Sequence, residues 1–247
     1  MLKDLLAANT YDKTILQTAK ELGFGLELDD YIRIFNRDEA LEKHKEVSPL
    51  VDGFLKLSFH GTVMEYEYII NYSDEALLGL YNESYEYACF HAIDKIVFHA
   101  NYVAGRETRP AWINRQASFW KQFLQDKPEN IRVYIENFVD ETPELMAQLH
   151  DAINDPRVKL CLDTGHACCN SGIHVLDWIK ILGRRIEHVH LHNNDGESDK
   201  HWPLGRGILD CREVIEKLLE YANLSTIVLE GDFNESLIWL RENGLLD

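Results

Sequence analysis

Long apolar runs are absent from this sequence of 247 residues. No stretch approaches the roughly 20 apolar residues that a membrane-spanning helix needs. The first 14 residues do not place an apolar core after a basic segment, which is the pattern of a secretory signal. We therefore expect a cytoplasmic protein that makes no membrane contact.

Cysteine is also scarce, with five residues in the chain. They are odd in number and no pair is spaced as CxxC, so we expect reduced thiols rather than a disulfide framework. The five positions are Cys89, Cys161, Cys168, Cys169 and Cys211.

Basic residues are few relative to acidic ones, since 25 Lys and Arg stand against 42 Asp and Glu. The formal net charge of −17 gives the molecule a field that repels polyanions. Nucleic acid is therefore not expected as a partner. A glycine-rich GxGxxG turn after the first strand is also missing, which argues against a dinucleotide-binding fold.

What the sequence does contain is a regular alternation of short apolar runs and amphipathic segments, repeated eight times. The predicted strands are 3–9, 23–29, 53–60, 95–102, 131–138, 158–163, 186–192 and 226–231. The predicted helices are 12–22, 38–47, 74–92, 111–125, 142–154, 174–182, 210–221 and 234–242. Eight βα units in about 250 residues predict an α/β fold, a (β/α)8 TIM barrel forming a single domain over residues 1–247. An open doubly wound sheet is the alternative.

Six consecutive predicted strands end on a side chain that can bind a metal. Their ends read LSFH, IVFH, VYIE, LCLD, VHLH and IVLE. In a TIM barrel these ends meet at the mouth that carries the active site. Converging carboxylates would repel one another there, whereas divalent cations satisfy carboxylates and imidazoles together. The pattern therefore predicts a metal centre, with His166, Asp199 and His201 adding ligands from the loops.

Several of these motifs occur together in the order of a known family. They are LCLDTGHA at 160–167, VHLHNND at 189–195, DKHWPLGRGILD at 199–210, and the strand ends FHG, FHA, IEN and LEG. With them the chain resembles the xylose-isomerase-like TIM barrel superfamily, which includes sugar isomerases, sugar epimerases and apurinic endonucleases.

The resemblance implies one to three divalent metal ions, with Zn or Mn expected. The ligand positions of the three-metal endonuclease pattern correspond here to His60, His99, Glu136, Asp163, His166, His190, Asp199, His201 and Glu230. The smaller ligand set of the ketose epimerases corresponds to Glu136, Asp163, His190 and Glu230. In those enzymes the two glutamates exchange a proton on the substrate. The family alignment selects His190 in strand seven, whereas counting to the last inward residue selects His192, and both stay open.

Candidate substrate contacts follow from the same loops. His166 is either a ligand or a substrate contact. Arg206 stands where the family commonly has Glu, and beside a metal site it could hold a phosphate or carboxylate. Trp202 could pack on a sugar ring, as could Tyr66, Tyr68, Tyr102 and Trp112, although packing in the core or a lid is the more common role for such aromatics.

Three functions are compatible with these residues. The first is metal-dependent isomerisation or epimerisation of a small carbohydrate, with Glu136 and Glu230 as general acid and base. The second is hydrolysis of a phosphoester by two or three metal ions. The residues after His60, Gly61 to Met64, lack the aromatic wedge of the DNA-inserting endonucleases, so a small substrate is expected here too. The third is a carbohydrate- or metal-binding barrel without catalysis. The first is our prediction, and the sequence does not indicate an oligomeric state.

Overall fold

Eight parallel strands form a closed barrel in sequence order, with the first strand paired to the last. The computed structural model describes residues 1–63, 73–100 and 102–246. The strands are β1 Leu6–Asn9, β2 Gly25–Leu28, β3 Leu57–His60, β4 Lys95–His99, β5 Arg132–Glu136, β6 Val158–Asp163, β7 Ile186–Leu191 and β8 Thr226–Leu229. The predicted (β/α)8 barrel is therefore confirmed, and the doubly wound sheet is excluded because that sheet would not close.

Helices follow the strands and cover the outside of the barrel. Those in the described residues are α1 Leu16–Leu22, α2 Arg37–Val51, α3 Asp74–Phe90, α4 Arg109–Leu124, α5 Pro143–Ile153, α6 Thr164–Asn170, α7 Val175–Leu182, α8 Cys211–Tyr221 and α9 Phe233–Glu242. Three short 3-10 helices lie at Leu2–Leu5, Lys13–Ile15 and Gly183–Arg185. Among the helices of the described ranges, none combines the length and the apolar character that a membrane crossing requires.

The strand ends differ slightly from the prediction. β1 begins at Leu6 rather than at residue 3, because residues 2–5 form a 3-10 turn that the N-terminal amine and Asp4 close. α6 is an additional helix that the sequence patterns did not predict. Its seven residues carry no amphipathic repeat, and it begins because Asp163 accepts a hydrogen bond from the backbone N–H of His166.

Strand register brings the ends of neighbouring strands to one level. His99 on β4 is paired with Glu136 on β5, and Asp163 on β6 is paired with His190 on β7. Parallel strands that end together place their last inward side chains around one opening. The register therefore assembles the polar residues at the C-terminal mouth of the barrel.

The barrel interior and the layer between strands and helices are separate apolar regions. Val97, Tyr134 and Cys161 pack together inside the barrel. The larger core lies outside the strands, where α4 contributes Trp112, Trp120 and Phe123, each about 1% exposed. Both faces of the strands are thus buried, as a parallel sheet requires. Val97, Tyr134 and Cys161 thus form an apolar part of the barrel interior.

Candidate metal centre

Glu136 lies at the middle of the mouth, at the end of β5, and its side chain is 1% exposed. Its Oε2 atom is 3.3 Å from Nε2 of both His60 and His99. Its Oε1 atom is 3.3 Å from Nδ1 of both His166 and His190. One buried carboxylate therefore faces four imidazoles, which come from four different parts of the chain.

A second group of contacts surrounds Asp199, in the loop after β7. One of its carboxylate oxygens lies 3.3 Å from Nε2 of His166 and 3.1 Å from Nε2 of His201. His166 is also close to Asp163, since its Nδ1 lies 3.4 Å from Oδ2 of that residue. His166 thus links the Asp199 group to Glu136.

Glu230, which directly follows β8, closes the set. Its Oε1 atom is 3.3 Å from Nδ1 of His190, and its Oε2 atom is 4.0 Å from Nδ1 of His201. All nine predicted ligand positions are therefore brought together in one connected group, which we call the mouth cluster: His60, His99, Glu136, Asp163, His166, His190, Asp199, His201 and Glu230.

Local backbone contacts hold part of the mouth cluster in place. The side chain of Asn137 donates to the carbonyl of Asp163 at 3.0 Å and accepts from its N–H at 2.9 Å. The carbonyl of Asn137 is in turn 3.0 Å from Nδ1 of His166. Gly165 is required beside them, because a Cβ there would overlap the ring of His192. The IEN and DTGHA motifs thus form one interlocked unit.

The electrostatics of the mouth cluster follow from packing acids and imidazoles together. Burial opposes the charged form of His60, but contact with Glu136 outweighs it and raises the pKa of His60 to about 9. For His201, burial is likewise outweighed by Asp199, and the pKa is raised to about 9. Burial raises the pKa of Glu136, yet His190 and His99 overcome it and hold that pKa well below the ordinary value. Without a metal, protons on the imidazoles offset the carboxylate charge.

The donor set fits divalent metal ions. Among the described residues, buried Oε2 of Glu136 and buried Nδ1 of His190 have no hydrogen-bond partner. A buried polar atom left unpaired is costly, and bound cations would satisfy such atoms. Two further groups have ligand atoms within 4.8 Å of one another, namely His60 with His99 and Glu136, and His166 with Asp199 and His201. Nitrogen and carboxylate ligands of this kind suit zinc or manganese.

Both strand-seven candidates reach the mouth. His190 lies between Glu136 and Glu230, whereas Nε2 of His192 lies 3.1 Å from Asp163 and 3.7 Å from Asp199. The ring of His192 also stacks on His201, with centroids 4.0 Å apart. The geometry favours His190 as the central ligand, because its Nδ1 faces two cluster glutamates and has no hydrogen-bond partner in the part of the chain described.

The sequence prediction missed the contribution of β2. Glu27 is 1% exposed and lies within 3.0 Å of both His188 and His190. Asp29, which follows the strand, lines the mouth, and burial together with Glu27 raises its pKa to about 8. A signal existed in the sequence GLELDD, where Gly25, Glu27 and Asp29 alternate on one face. The prediction considered ends of strands three to eight alone.

A cavity of about 680 Å³ opens above the mouth cluster. One side is polar and includes His60, His99, Glu136, His166, Asp199 and Glu230. The other side is partly apolar and includes Tyr11, Ile15, Ile32, Val63 and Phe233. Tyr11 is 90% exposed, so its ring is free to pack on a ligand that enters. The cavity has room for a small organic molecule.

The aromatic and Arg candidates are placed differently. Among the described residues that line the cavity, neither Trp202 nor Arg206 occurs. The guanidinium of Arg206 instead lies 4.3 Å from the ring centre of Trp202, so their substrate roles stay predictions. Tyr102 and Trp112 pack on each other in the core with centroids 5.2 Å apart. Tyr66 and Tyr68 lie outside the described residues.

A family model supplies the identification. The model of the xylose isomerase-like TIM barrel matches residues 86–243, which is more than half of the chain. The chain belongs to the xylose isomerase-like TIM barrel family. This match confirms the resemblance that the motifs indicated. The (β/α)8 fold and the mouth cluster thus belong to a member of this family.

Relatives of two kinds are similar to this family member. A probable endonuclease 4 from Mycobacterium leprae (strain Br4923) is 29% identical over 161 residues, covering 60% of this chain and 62% of that protein. The matched region thus spans about three fifths of the curated relative. The TTHB071 protein from Thermus thermophilus, soaked with ZnCl2, has a TM-score of 0.71 at 23% identity and 96% coverage of both chains. A D-tagatose 3-epimerase-like protein has a TM-score of 0.71 at 18% identity, covering 97% of this chain and 96% of that one. These two structures share the fold.

Proposed function

We propose that this family member hydrolyses a phosphoester with a cluster of two or three divalent metal ions, zinc or manganese. The observation that carries the proposal is the convergence of all nine residues of the mouth cluster. An isomerase of this family would need the smaller set of four ligands. His60, His99, Asp199 and His201 lie outside that set, yet each contacts another member of the mouth cluster within 3.3 Å.

The carboxylates provide the connections that several neighbouring ions require. Glu136 faces His60 and His99 with one oxygen and His166 and His190 with the other. A carboxylate placed in this way can serve two cations at once. When bound, such ions polarise a phosphoryl group and supply the attacking water. The ligand types of the mouth cluster, five imidazoles and four carboxylates, are consistent with that chemistry.

The protein's own residues would orient the substrate over the ions. Burial of Glu136, Asp163 and His190 keeps bulk water from the floor of the cavity and strengthens electrostatic interactions there. Lys200 lines the cavity and provides a cation for a phosphate oxygen, although it also pairs with Asp195. The mouth would thus hold the phosphoryl group between Lys200 and the ions.

The substrate proposed is small and includes an apolar or planar part. Tyr11, Ile32 and Phe233 line the cavity and give a sugar or base an apolar surface to contact. Nucleic acid is not proposed, because the net charge of −17 repels a long polyanion. The endonuclease named among the relatives supports the phosphoester chemistry and not the size of the substrate.

Isomerisation or epimerisation of a small carbohydrate is the second candidate. Glu136 and Glu230 both approach Nδ1 of His190 at 3.3 Å, so the two carboxylates that would exchange a proton are present and close together. The similarity in fold to an epimerase-like protein is consistent with it. This candidate uses Glu136, Asp163, His190 and Glu230, with His166 as a substrate contact, and leaves the other members of the mouth cluster without a role.

A substrate panel separates the two reactions. Protein reconstituted with zinc or manganese would be incubated with bis(p-nitrophenyl) phosphate, p-nitrophenyl phosphate, a duplex containing an abasic site, and ketoses in deuterated water. We expect hydrolysis of a small phosphoester, its loss on chelation and its return on adding the metal. Deuterium incorporation into a ketose with no phosphoester cleavage would overturn the proposal in favour of the isomerase. Cleavage of the duplex alone would overturn the proposed substrate size.

A further inference from the structure

A charged group lies inside the barrel directly below the mouth cluster. Glu27 on β2 is 1% exposed, Ser58 on β3 is 2% exposed and His188 on β7 is fully buried. Interiors of these barrels are normally filled by bulky apolar side chains. A buried carboxylate is costly unless other groups compensate it, so the position of Glu27 requires a reason.

The contacts of Glu27 account for both carboxylate oxygens. Ser58 Oγ donates a hydrogen bond to Oε2 at 2.7 Å, and Nε2 of His188 lies 3.0 Å from the same oxygen. Oε1 lies 2.9 Å from Nε2 of His190. The two imidazole contacts are at ion-pair distance but lack the alignment of a hydrogen bond, so their effect is mainly electrostatic.

His190 therefore has a different environment at each ring nitrogen. Its Nε2 atom faces Glu27, and its Nδ1 atom faces Glu136 and Glu230 at 3.3 Å. A nitrogen lone pair held 2.9 Å from a carboxylate oxygen would be repelled, whereas an N–H there is attracted. Glu27 therefore favours the tautomer with the proton on Nε2. Carboxylates also face Nδ1, so without a cation this nitrogen attracts a proton too. With a cation in the mouth cluster, Nε2 would keep its proton against Glu27 and Nδ1 would present its lone pair to the ion.

We infer that Glu27 is a positioning residue that fixes the orientation and tautomer of His190, so that Nδ1 is the atom presented to a metal ion. Ser58 and His188 hold Glu27 in turn. The inference rests on the proposed metal centre and adds the part of it that lies on β2. Carboxylates that contact the second nitrogen of a ligating histidine commonly raise metal affinity in this way.

The same residues suggest an alternative that the geometry favours less. Ligand atoms of Cys161, His188 and His190 lie within 4.8 Å of one another, so this buried group could itself hold an ion. Both histidines of this group already present Nε2 to Glu27. Among the described residues that line the cavity, neither Cys161 nor His188 occurs. We therefore assign the group to positioning and treat an internal ion as an outcome of the test.

The tautomer can be read in zinc-loaded protein without any change to Glu27. Long-range proton–nitrogen correlation spectra of 15N-histidine-labelled protein report which ring nitrogen carries the proton, and the His190→Gln variant identifies the signals of His190 by their loss. We expect the proton on Nε2 in the native chain. A proton on Nδ1 would overturn the inference. This result does not depend on which reaction the protein catalyses.

Metal affinity provides the second readout. Zinc would be titrated against a competing chelator into native protein, Glu27→Gln and Tyr134→Phe. Tyr134 is a matched interior control, since it stacks on His188 and its hydroxyl contacts Ser225 instead of Glu27. We expect Glu27→Gln to weaken zinc binding about 10- to 100-fold with the same number of ions. Tyr134→Phe should leave the zinc affinity at the native value, because the hydroxyl that it removes contacts Ser225 and not Glu27.

Each other outcome has a definite meaning. Native affinity in Glu27→Gln would overturn the inference, and so would the loss of one complete ion at unchanged affinity for the rest, which would indicate an internal site. If Glu27→Gln does not fold, Ser58→Ala keeps the carboxylate but removes its hydrogen bond, and an unchanged zinc affinity in that variant would count against the inference. Failure of the native chain to bind zinc would contradict the proposed function and the inference with it, whereas native zinc binding with the proton on Nδ1 would contradict the inference alone.

Discussion

At the scale of single residues, the notable arrangement is one carboxylate, Glu136, that faces four imidazoles. Its position at the end of β5 makes it the shared member of the mouth cluster. Each of its oxygens has two ring nitrogens at 3.3 Å, so neither oxygen belongs to one partner alone. The function of His60 and His99 is therefore inseparable from that of Glu136.

Replacing His99 tests that arrangement. We expect His99→Gln to bind one ion fewer and to lower kcat/KM for a phosphoester at least about 100-fold, because a Lewis acid is worth several kcal/mol to such a reaction. His150→Gln is the control, since His150 lies on α5 and pairs with Asp151 outside the mouth cluster. Steady-state kinetics and elemental analysis of both variants measure the effect. Full phosphoester activity and an unchanged number of ions in His99→Gln would show that His99 is not a metal ligand that the reaction needs.

The raised pKa values of His60 and His201 predict how metal binding depends on pH. Both pKa values are about 9, above the ordinary value near 6.5, so both imidazoles carry protons at neutral pH in the metal-free protein. Their ion pairs stabilise the metal-free fold below about pH 6.5, and this contribution is lost as the pH rises through about 9. Metal must displace these protons, so zinc affinity should rise from about pH 7 to about pH 9.

Proton release measures that dependence. Zinc added to weakly buffered metal-free protein at about pH 7.5 should acidify the solution, and the release should fall as the starting pH approaches about 9. Zinc uptake without any proton release near neutral pH would show that His60 and His201 are neutral or are not ligands.

The single residues also show what the sequence could reveal. Members of the mouth cluster were predictable because alternation along a strand identifies its inward face, and the motifs repeat that pattern from strand to strand. Glu27 was not predicted, since a Glu within a short strand is commonly solvent-exposed and the partner that buries it, His190, is 163 residues away in the sequence. The alternation in GLELDD indicates which face Glu27 shares, but the contacts that bury it are long-range and carry no local signal.

At the scale of elements, two loops determine how the mouth cluster is completed. The turn from β6 into α6 supplies Asp163 and His166, and the loop after β7 supplies Asp199 and His201. Strand positions were predictable from periodicity, whereas α6 was not, because its start depends on a side chain that also belongs to the mouth cluster. Asp163 thus serves both the helix and the site.

Two substitutions separate these roles of Asp163. Asn is as good an N-cap as Asp, while Ala is not, so Asp163→Ala should be less stable than Asp163→Asn by about 1 kcal/mol. Both variants lose the carboxylate and should bind zinc more weakly than the native chain. Denaturant unfolding of metal-free protein and zinc titration measure the two effects. Equal stability of the variants would mean that the cap of α6 contributes little.

The loop after β7 also carries the candidate substrate contacts. Lys200 lines the cavity, whereas Arg206 lies over Trp202 and is absent from the described lining residues. We expect Lys200→Ala to raise KM for a phosphoester about 10- to 100-fold with little change in kcat, as loss of a charged hydrogen bond would. Arg206→Ala should raise KM less. The reverse order, from initial-rate kinetics, would restore Arg206 as the principal anion contact.

At the scale of the whole molecule, the barrel explains why so much of the fold was predictable. The eight alternating βα units are local patterns that a sequence displays directly, and their number predicts the closed barrel in which β1 pairs with β8. The reaction was less predictable, because the same barrel and strand-end residues serve several chemistries. The number of ions that the mouth cluster holds is the property that distinguishes them.

Counting those ions tests the central claim most directly. Metal-free protein would be titrated with zinc, and gel filtration would remove the unbound zinc. Elemental mass spectrometry would then give the number of zinc ions per chain. The convergence of nine ligand positions predicts two or three ions per chain. Binding of a single ion per chain would contradict the phosphoester proposal. If that ion is lost in Glu230→Gln but retained in His99→Gln, the result would support the four-ligand isomerase.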